Sequence, residues 1–157
     1  MSASLGAMAP APAVRHASAM PTPPTLDTAG LHALVPLAAT LGLRVASAAP
    51  DTVRVELDHR PELCTAGGVL HGGALMALAD TAGAVCAFLN LPYGATTTTV
   101  ESKTNLLAAV RGGVVAATAT PLHVGSTLIV VETELRLDDG SLAAKVTQSQ
   151  AFHYPRA

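Results

Sequence analysis

A chain of 157 residues, half of them hydrophobic, is long enough to bury the core of one domain and too short for two ordinary ones. Aromatic residues make up only 3%, so the core has to be assembled from Ala, Val and Leu. A formal charge of −2 with no local Lys/Arg cluster argues against a nucleic-acid partner, and no uninterrupted apolar run reaches the ~18 residues of a membrane-spanning helix.

Residues 1–25 carry five prolines and no acidic residue, and read as a flexible Pro/Ala-rich tail, with an organelle-targeting peptide as the minority reading. A single domain is expected over residues 26–157. It opens with LDTAGLHALVPLAATLGL, where Asp27 or Thr28 caps a helix and Leu31, Leu34, Val35, Ala38 and Leu41 share one face. Pro36 makes that helix short or kinked. In DTVRVELDH, Val53, Val55 and Leu57 alternate with polar residues, which predicts a half-buried strand.

From Gly73 to Leu89 there is no proline, and Asp80 is the single charged residue. Leu75, Leu78, Ala79, Ala82, Val85, Cys86 and Leu89 follow helical spacing, and alanines fill much of the remaining circumference, so a core helix is expected. Four β-type runs follow, TTTTVESKTNLLAAV, GVVAATATPLHV, STLIVVETELRL and SLAAKVTQSQAFH, with Asp139-Gly140 as the strongest hairpin signal. The short turns forbid parallel crossovers. The fold class is therefore α+β, with an antiparallel sheet wrapped around one long central helix.

Two segments invite a chemical reading. GGVLHGG crowds Gly67, Gly68, Gly72 and Gly73 around His71 at the start of the core helix, either as a tight turn or as a place where backbone N–H groups and the helix dipole meet a polarised carbonyl. Asp80 stands in the middle of an apolar helix, where a carboxylate is costly unless partnered. It sits either on an exposed seam or where chemistry retains it. At 1.5 Å per residue Gly72 and Asp80 lie roughly 12 Å apart along the helix axis, too far to act on one carbonyl carbon. Two such helices lying antiparallel across a two-fold axis would bring the acid of one beside the glycines of the other.

The stretch GGVLHGGALMALADTAGA resembles the signature of the hotdog-fold acyl-CoA thioesterases of the phenylacetate-degradation branch: His-Gly-Gly, an aspartate seven residues after the second glycine, then small residues. A looser likeness runs from about Leu41 to His153. The resemblance implies a hotdog fold with Asp80 as nucleophile or as the base activating water. It further implies that the N–H of Gly72, assisted by Gly73, polarises the thioester carbonyl, and that His71 positions the loop. Thr65 stands where the family usually has an asparagine that orients the nucleophile or water. Thr98 falls where a hydroxyl lines the reaction site. His123, Gly125 and Ser126 form the turn associated with substrate binding, with Ser126 in place of the usual Arg or Lys; Arg111 or Lys103 would then meet the coenzyme A phosphates. The expected partner is an acyl-CoA substrate, handled by a homodimer or a dimer of dimers, with no cofactor and no metal. A non-catalytic acyl-CoA sensor and a hotdog hydratase or dehydratase are the rival readings.

The remaining reactive residues have plainer expectations. His59, His71 and His123 offer no close ligand pair, Glu101 on its alternating strand is expected to face solvent, and Cys64 and Cys86 read as reduced thiols, consistent with a cytoplasmic location.

Overall fold

The computed structural model describes residues 26–154; the expectation of a flexible tail over residues 1–25 lies outside the described residues. Asp27 caps the first helix, α1 (Thr28–Leu34), by accepting a hydrogen bond from the Gly30 N–H at 2.8 Å. Pro36 then starts a separate short helix, α2 (Pro36–Leu41), so the proline divides the segment, and Gly42 ends it in the left-handed region at φ 69°. Leu31 and Ala38 are buried, whereas Leu34 stays exposed on the described chain.

A hairpin of β1 (Arg44–Ala49) and β2 (Thr52–Asp58) follows, then one 3₁₀ turn at Pro61–Leu63, the long helix α3 (Gly72–Leu89), and β3 (Thr96–Leu106), β4 (Val114–Val124), β5 (Leu128–Arg136) and β6 (Leu142–His153). The six strands form one sheet in the order β1-β2-β4-β5-β6-β3, every neighbour pair antiparallel. Strand β3 therefore comes first of the last four in sequence yet lies at the edge, beside β6.

The sheet curls around α3. Val53, Val55 and Leu57 of β2, Val115, Ala117 and Ala119 of β4, and Ile129, Val131 and Leu135 of β5 turn one face toward the helix, where Leu75, Leu78, Ala79, Ala82 and Cys86 are buried against them. The alanines on both layers allow close approach of helix and sheet, while each fully buried leucine contributes about 1.5–3 kcal/mol. By length and composition α3 passes for a membrane span, but it is the core helix, packed inside the sheet.

Candidate active site

Backbone contacts define the loop before α3. Cys64 and Leu70 form an antiparallel bridge, the His71 N–H donates to the Leu63 carbonyl at 2.8 Å, and the Leu70 N–H donates to the Val110 carbonyl at 2.9 Å. The tip closes with the Thr65 N–H on the Val69 carbonyl at 2.8 Å and with Gly68 at φ 68°, a conformation that glycine adopts without strain. His59 pins this tip: its Nε2 lies 3.0 Å from the Gly68 carbonyl and 3.2 Å from Cys64 Sγ.

His71 is the residue that caps α3. Its Nδ1 accepts from the Gly73 N–H at 2.9 Å, which places the ring proton of the neutral imidazole on Nε2. This corrects the expected pair of donors. The Gly73 N–H is taken by His71, and Gly72 alone keeps an N–H without a partner among the described residues. The lack of a side chain at position 72 matters too, because a Cβ there would come within 2.7 Å of Leu106 Cδ1.

Thr65 lies in the exposed tip, its hydroxyl donating to the Val69 carbonyl at 3.2 Å. It shares a loop with His71 and makes no hydrogen bond to Asp80.

Asp80 faces β3 and β6. Its Oδ1 accepts from the Thr99 hydroxyl at 3.2 Å and from the Gln148 amide at 3.4 Å, while Oδ2 has no partner among the described residues. The hydroxyl beside Asp80 is therefore that of Thr99, one residue beyond the expected Thr98. Thr98 points to the opposite face of the sheet, where its Oγ1 lies 2.7 Å from His153 Nε2. A strand alternates sides with every residue, so a shift of one position exchanges the faces.

Gln148 and Gln150 are the residues that pattern reading missed. Both are 1% exposed, on the inward row of β6 between Val146 and Phe152. Two glutamines interrupting an apolar row at period two were the available signal. A mid-helix glycine, Gly83, was the other.

His123, Gly125 and Ser126 occupy the β4–β5 turn, held by the Gly125 N–H on the Leu128 carbonyl at 2.9 Å and by the Tyr154 hydroxyl on the Ser126 carbonyl. Neither of the two clefts described below is lined by them. Glu101 is exposed, because the pairing of β3 with β6 shifts between Thr99 and Glu101 and so turns it away from the face that Thr99 presents to Asp80.

The described chain carries two relevant clefts. An open one of about 450 Å³ is lined by His71, Gly73, Ala74 and Ala77 of the helix start and by Glu62 and Cys64 of the loop, among others. A smaller, mostly apolar one of about 280 Å³ lies between α1 and α3, with Leu31, Leu34, Val85 and Phe88 as walls and Asp80 and Thr81 as its polar members. The helix N-terminus and the acid thus belong to different clefts of one chain.

Residues 67–144 match the thioesterase superfamily. A Mycobacterium tuberculosis protein provisionally named an esterase is 35% identical over 100 residues, which cover 62% of this chain and 71% of that protein. A similarly named protein of Haemophilus influenzae is 34% identical over 104 residues, covering 65% and 74%. Among solved structures, a Haemophilus influenzae thioesterase superposes with a TM-score of 0.78 at 26% identity, over 84% of this chain and 94% of its own. The Mycobacterium tuberculosis esterase structure does so with a TM-score of 0.73 at 27% identity, over 78% and 100%. An antiparallel sheet wrapped around one long helix, shared with these proteins, is the hotdog fold. The chain belongs to the thioesterase superfamily, among proteins named for ester and thioester hydrolysis.

Proposed function

We propose that the protein is an acyl-CoA thioesterase whose reaction site is completed by a second copy of the chain. The observation that carries this reading is the state of Asp80: a carboxylate on the core helix, held at one oxygen by Thr99 and Gln148 and without a partner at the other among the described residues, beside an apolar cleft.

The chemistry follows from those groups. Asp80 takes a proton from water as it attacks the thioester carbon, or attacks that carbon itself through Oδ2. Negative charge develops on the carbonyl oxygen and is met by the Gly72 N–H at the positive end of the α3 dipole. Collapse of the tetrahedral species then expels the thiolate of coenzyme A, which takes up the proton held by Asp80; on the direct-attack route water afterwards hydrolyses the acyl-Asp80 anhydride, releasing the acid and restoring the carboxylate. The apolar cleft between α1 and α3 receives the acyl group, and its Leu/Val/Phe lining suits fatty and aryl acids alike. Exposed Arg111 and Lys103, which make no ion pair among the described residues, are the groups proposed to meet the coenzyme A phosphates.

The need for two copies rests on helical rise and on the sheet edge. Gly72 and Asp80 are separated by roughly 12 Å of helix axis. Among the described residues strand β3 is paired only with β6, so it presents an 11-residue edge with Val100 and Leu106 exposed, the kind of edge that stable proteins cover. A second copy related by a two-fold axis covers it and sets one chain's Asp80 beside the other's Gly72. Free thiols at Cys64 and Cys86 fit a reducing compartment, and we place the protein in the cytoplasm on that ground.

The test is a hydrolysis screen with free-thiol detection over short, long and aryl acyl-CoAs, with molar mass measured in parallel. Turnover by a dimer or a dimer of dimers supports the proposal. Binding without turnover across the whole panel supports the acyl-CoA sensor instead.

A further inference from the structure

We propose that Gln148 is a positioning residue which, together with Thr99, fixes one oxygen of Asp80 and so leaves the other as the single reactive oxygen. This rests on the reading of Asp80 as the reacting carboxylate.

Gln148 is an expensive residue for its place in the sheet. It is 1% exposed, its neighbours along the inward row of β6 include Val146 and Phe152, and its Oε1 is buried without a hydrogen-bond partner among the described residues. A Met or Leu would fill that volume with no orphaned acceptor, so burial alone gives no reason for an amide. What the amide does make are two contacts to one residue: Nε2 lies 3.4 Å from Asp80 Oδ1 and 3.5 Å from the Asp80 carbonyl oxygen.

Room for those contacts comes from Gly83. A Cβ at position 83 would stand 2.3 Å from Gln148 Oε1 and 2.8 Å from Nε2. Position 83 is three residues after Asp80 and so faces the same side of the helix. In a helix filled with alanine, glycine is the poorer helix former, and here it is the residue that admits the amide.

The second donor is oriented by its own chain of bonds. The Thr97 hydroxyl is shared between Gln150 Oε1 at 3.2 Å and the Ala151 carbonyl at 3.1 Å, and Gln150 Nε2 donates to Thr99 Oγ1 at 2.8 Å. Because Thr99 Oγ1 already accepts from an amide, its own proton is directed to Asp80 Oδ1 at 3.2 Å. Reversing the Gln150 amide would draw the Thr99 proton to Gln150 and leave Asp80 Oδ1 facing a bare oxygen. Both donors therefore converge on Oδ1, the carboxylate is held against rotation, and Oδ2 is free to accept a proton or attack.

The experiment measures kcat, KM and melting temperature for Gln148→Met, Thr99→Val, Thr99→Ser, Gly83→Ala and Asp80→Asn, using the acyl-CoA hydrolysed fastest in the screen. Gln148→Met is expected to lower kcat about tenfold with KM within about twofold, while the melting temperature stays level or rises because the orphaned acceptor is gone. Thr99→Val is expected to lower kcat similarly, and Thr99→Ser, which restores the hydroxyl, to recover it. Gly83→Ala changes neither partner and favours the helix, yet displaces the amide; it should lower kcat as Gln148→Met does, and serves in its place if that variant folds poorly. Wild-type kcat in Gln148→Met, Thr99→Val and Gly83→Ala, beside an inactive Asp80→Asn, overturns the positioning role alone. An active Asp80→Asn overturns the assignment of Asp80 and the positioning role with it.

Discussion

His71 and Asp80 lie on one side of the sheet at the two ends of one helical segment, yet they open onto different clefts of the chain. His71 caps the start of α3 and uses its Nδ1 to hold the Gly73 N–H, so it organises the backbone around the Gly72 donor. Asp80, more than two turns further on, is oriented by strands β3 and β6. The proposed oxyanion donor and the proposed reacting carboxylate are built by separate parts of the fold, so each can be substituted separately.

Removing the acid is the simplest test. Asp80→Asn keeps the shape, and the side-chain oxygen still accepts from Thr99 and Gln148, so the melting temperature should stay level or rise. Turnover should fall by about 10²–10⁴-fold, the range that a positioned proton-transfer group contributes. Steady-state kinetics beside a thermal melt reads both. Turnover near wild type in a folded Asp80→Asn removes Asp80 from the mechanism.

Thr65 tests the other end of the site. Its hydroxyl donates to the Val69 carbonyl, which also receives the Thr65 N–H, so Thr65→Val deletes a redundant bond at an exposed tip and should cost at most ~1 kcal/mol of stability. If the hydroxyl also orients the water or nucleophile, Thr65→Val should lower turnover while Thr65→Asn preserves or raises it. Equal rates in all three forms would make Thr65 a loop residue only.

The elements of the fold differ in how plainly the sequence marks them. The bounds of α3 are visible because proline is absent, helical spacing persists, and a glycine pair marks the start. The antiparallel topology follows from turn lengths. Strand β1, RVASAA, carries little alternation, and it is the pairing with β2 that makes it a strand. In Thr96 to Thr99, four identical residues give no sign of which face is inward. Facing is set by the register with β6, where Thr99 pairs with Gln150, and the pairing shifts at a bulge before Glu101. The likeness to a family pattern located a threonine and missed by one. Gln148 is hidden for a different reason, because its role depends on a gap at Gly83 that lies 65 positions earlier in the chain.

The two cysteines should separate cleanly in a thiol titration. Cys86 is buried on α3, and burial, assisted by the Asp51 carboxylate, pushes its thiol up to about 11. The thiolate is the reactive form, so a group with a raised value is protonated at neutral pH and reacts only as the pH rises toward that value or the core opens. Cys64 is partly exposed and lines the larger cleft. A neutral thiol reagent at pH 7.5 should therefore label Cys64 in the native protein and Cys86 only after denaturant is added, as peptide mass spectrometry reads directly. Prompt native labelling of Cys86 would show that α3 is less securely packed than its burial indicates.

Subunit mixing tests whether the site is shared. Gly72→Pro removes the proposed oxyanion donor at the first position of α3, where proline is tolerated because that N–H makes no helical bond. His71, at φ −64° and ψ 135°, already has the extended conformation that a following proline requires, so the remaining strain is the contact with Leu106, an exposed side chain able to turn away. Asp80→Asn removes the acid and leaves the donor. Each parent alone should be folded, dimeric and inactive, since every site in it lacks one half. When the two are mixed and exchanged, a mixed dimer holds one site with both defects and one with neither. If half the dimers are mixed, about a quarter of wild-type activity per total site should return, because one site in two is intact in one dimer in two. Verified exchange with no recovery of activity would mean that Gly72 and Asp80 do not meet across a subunit boundary, and the donor opposite Asp80 would have to be sought within its own chain.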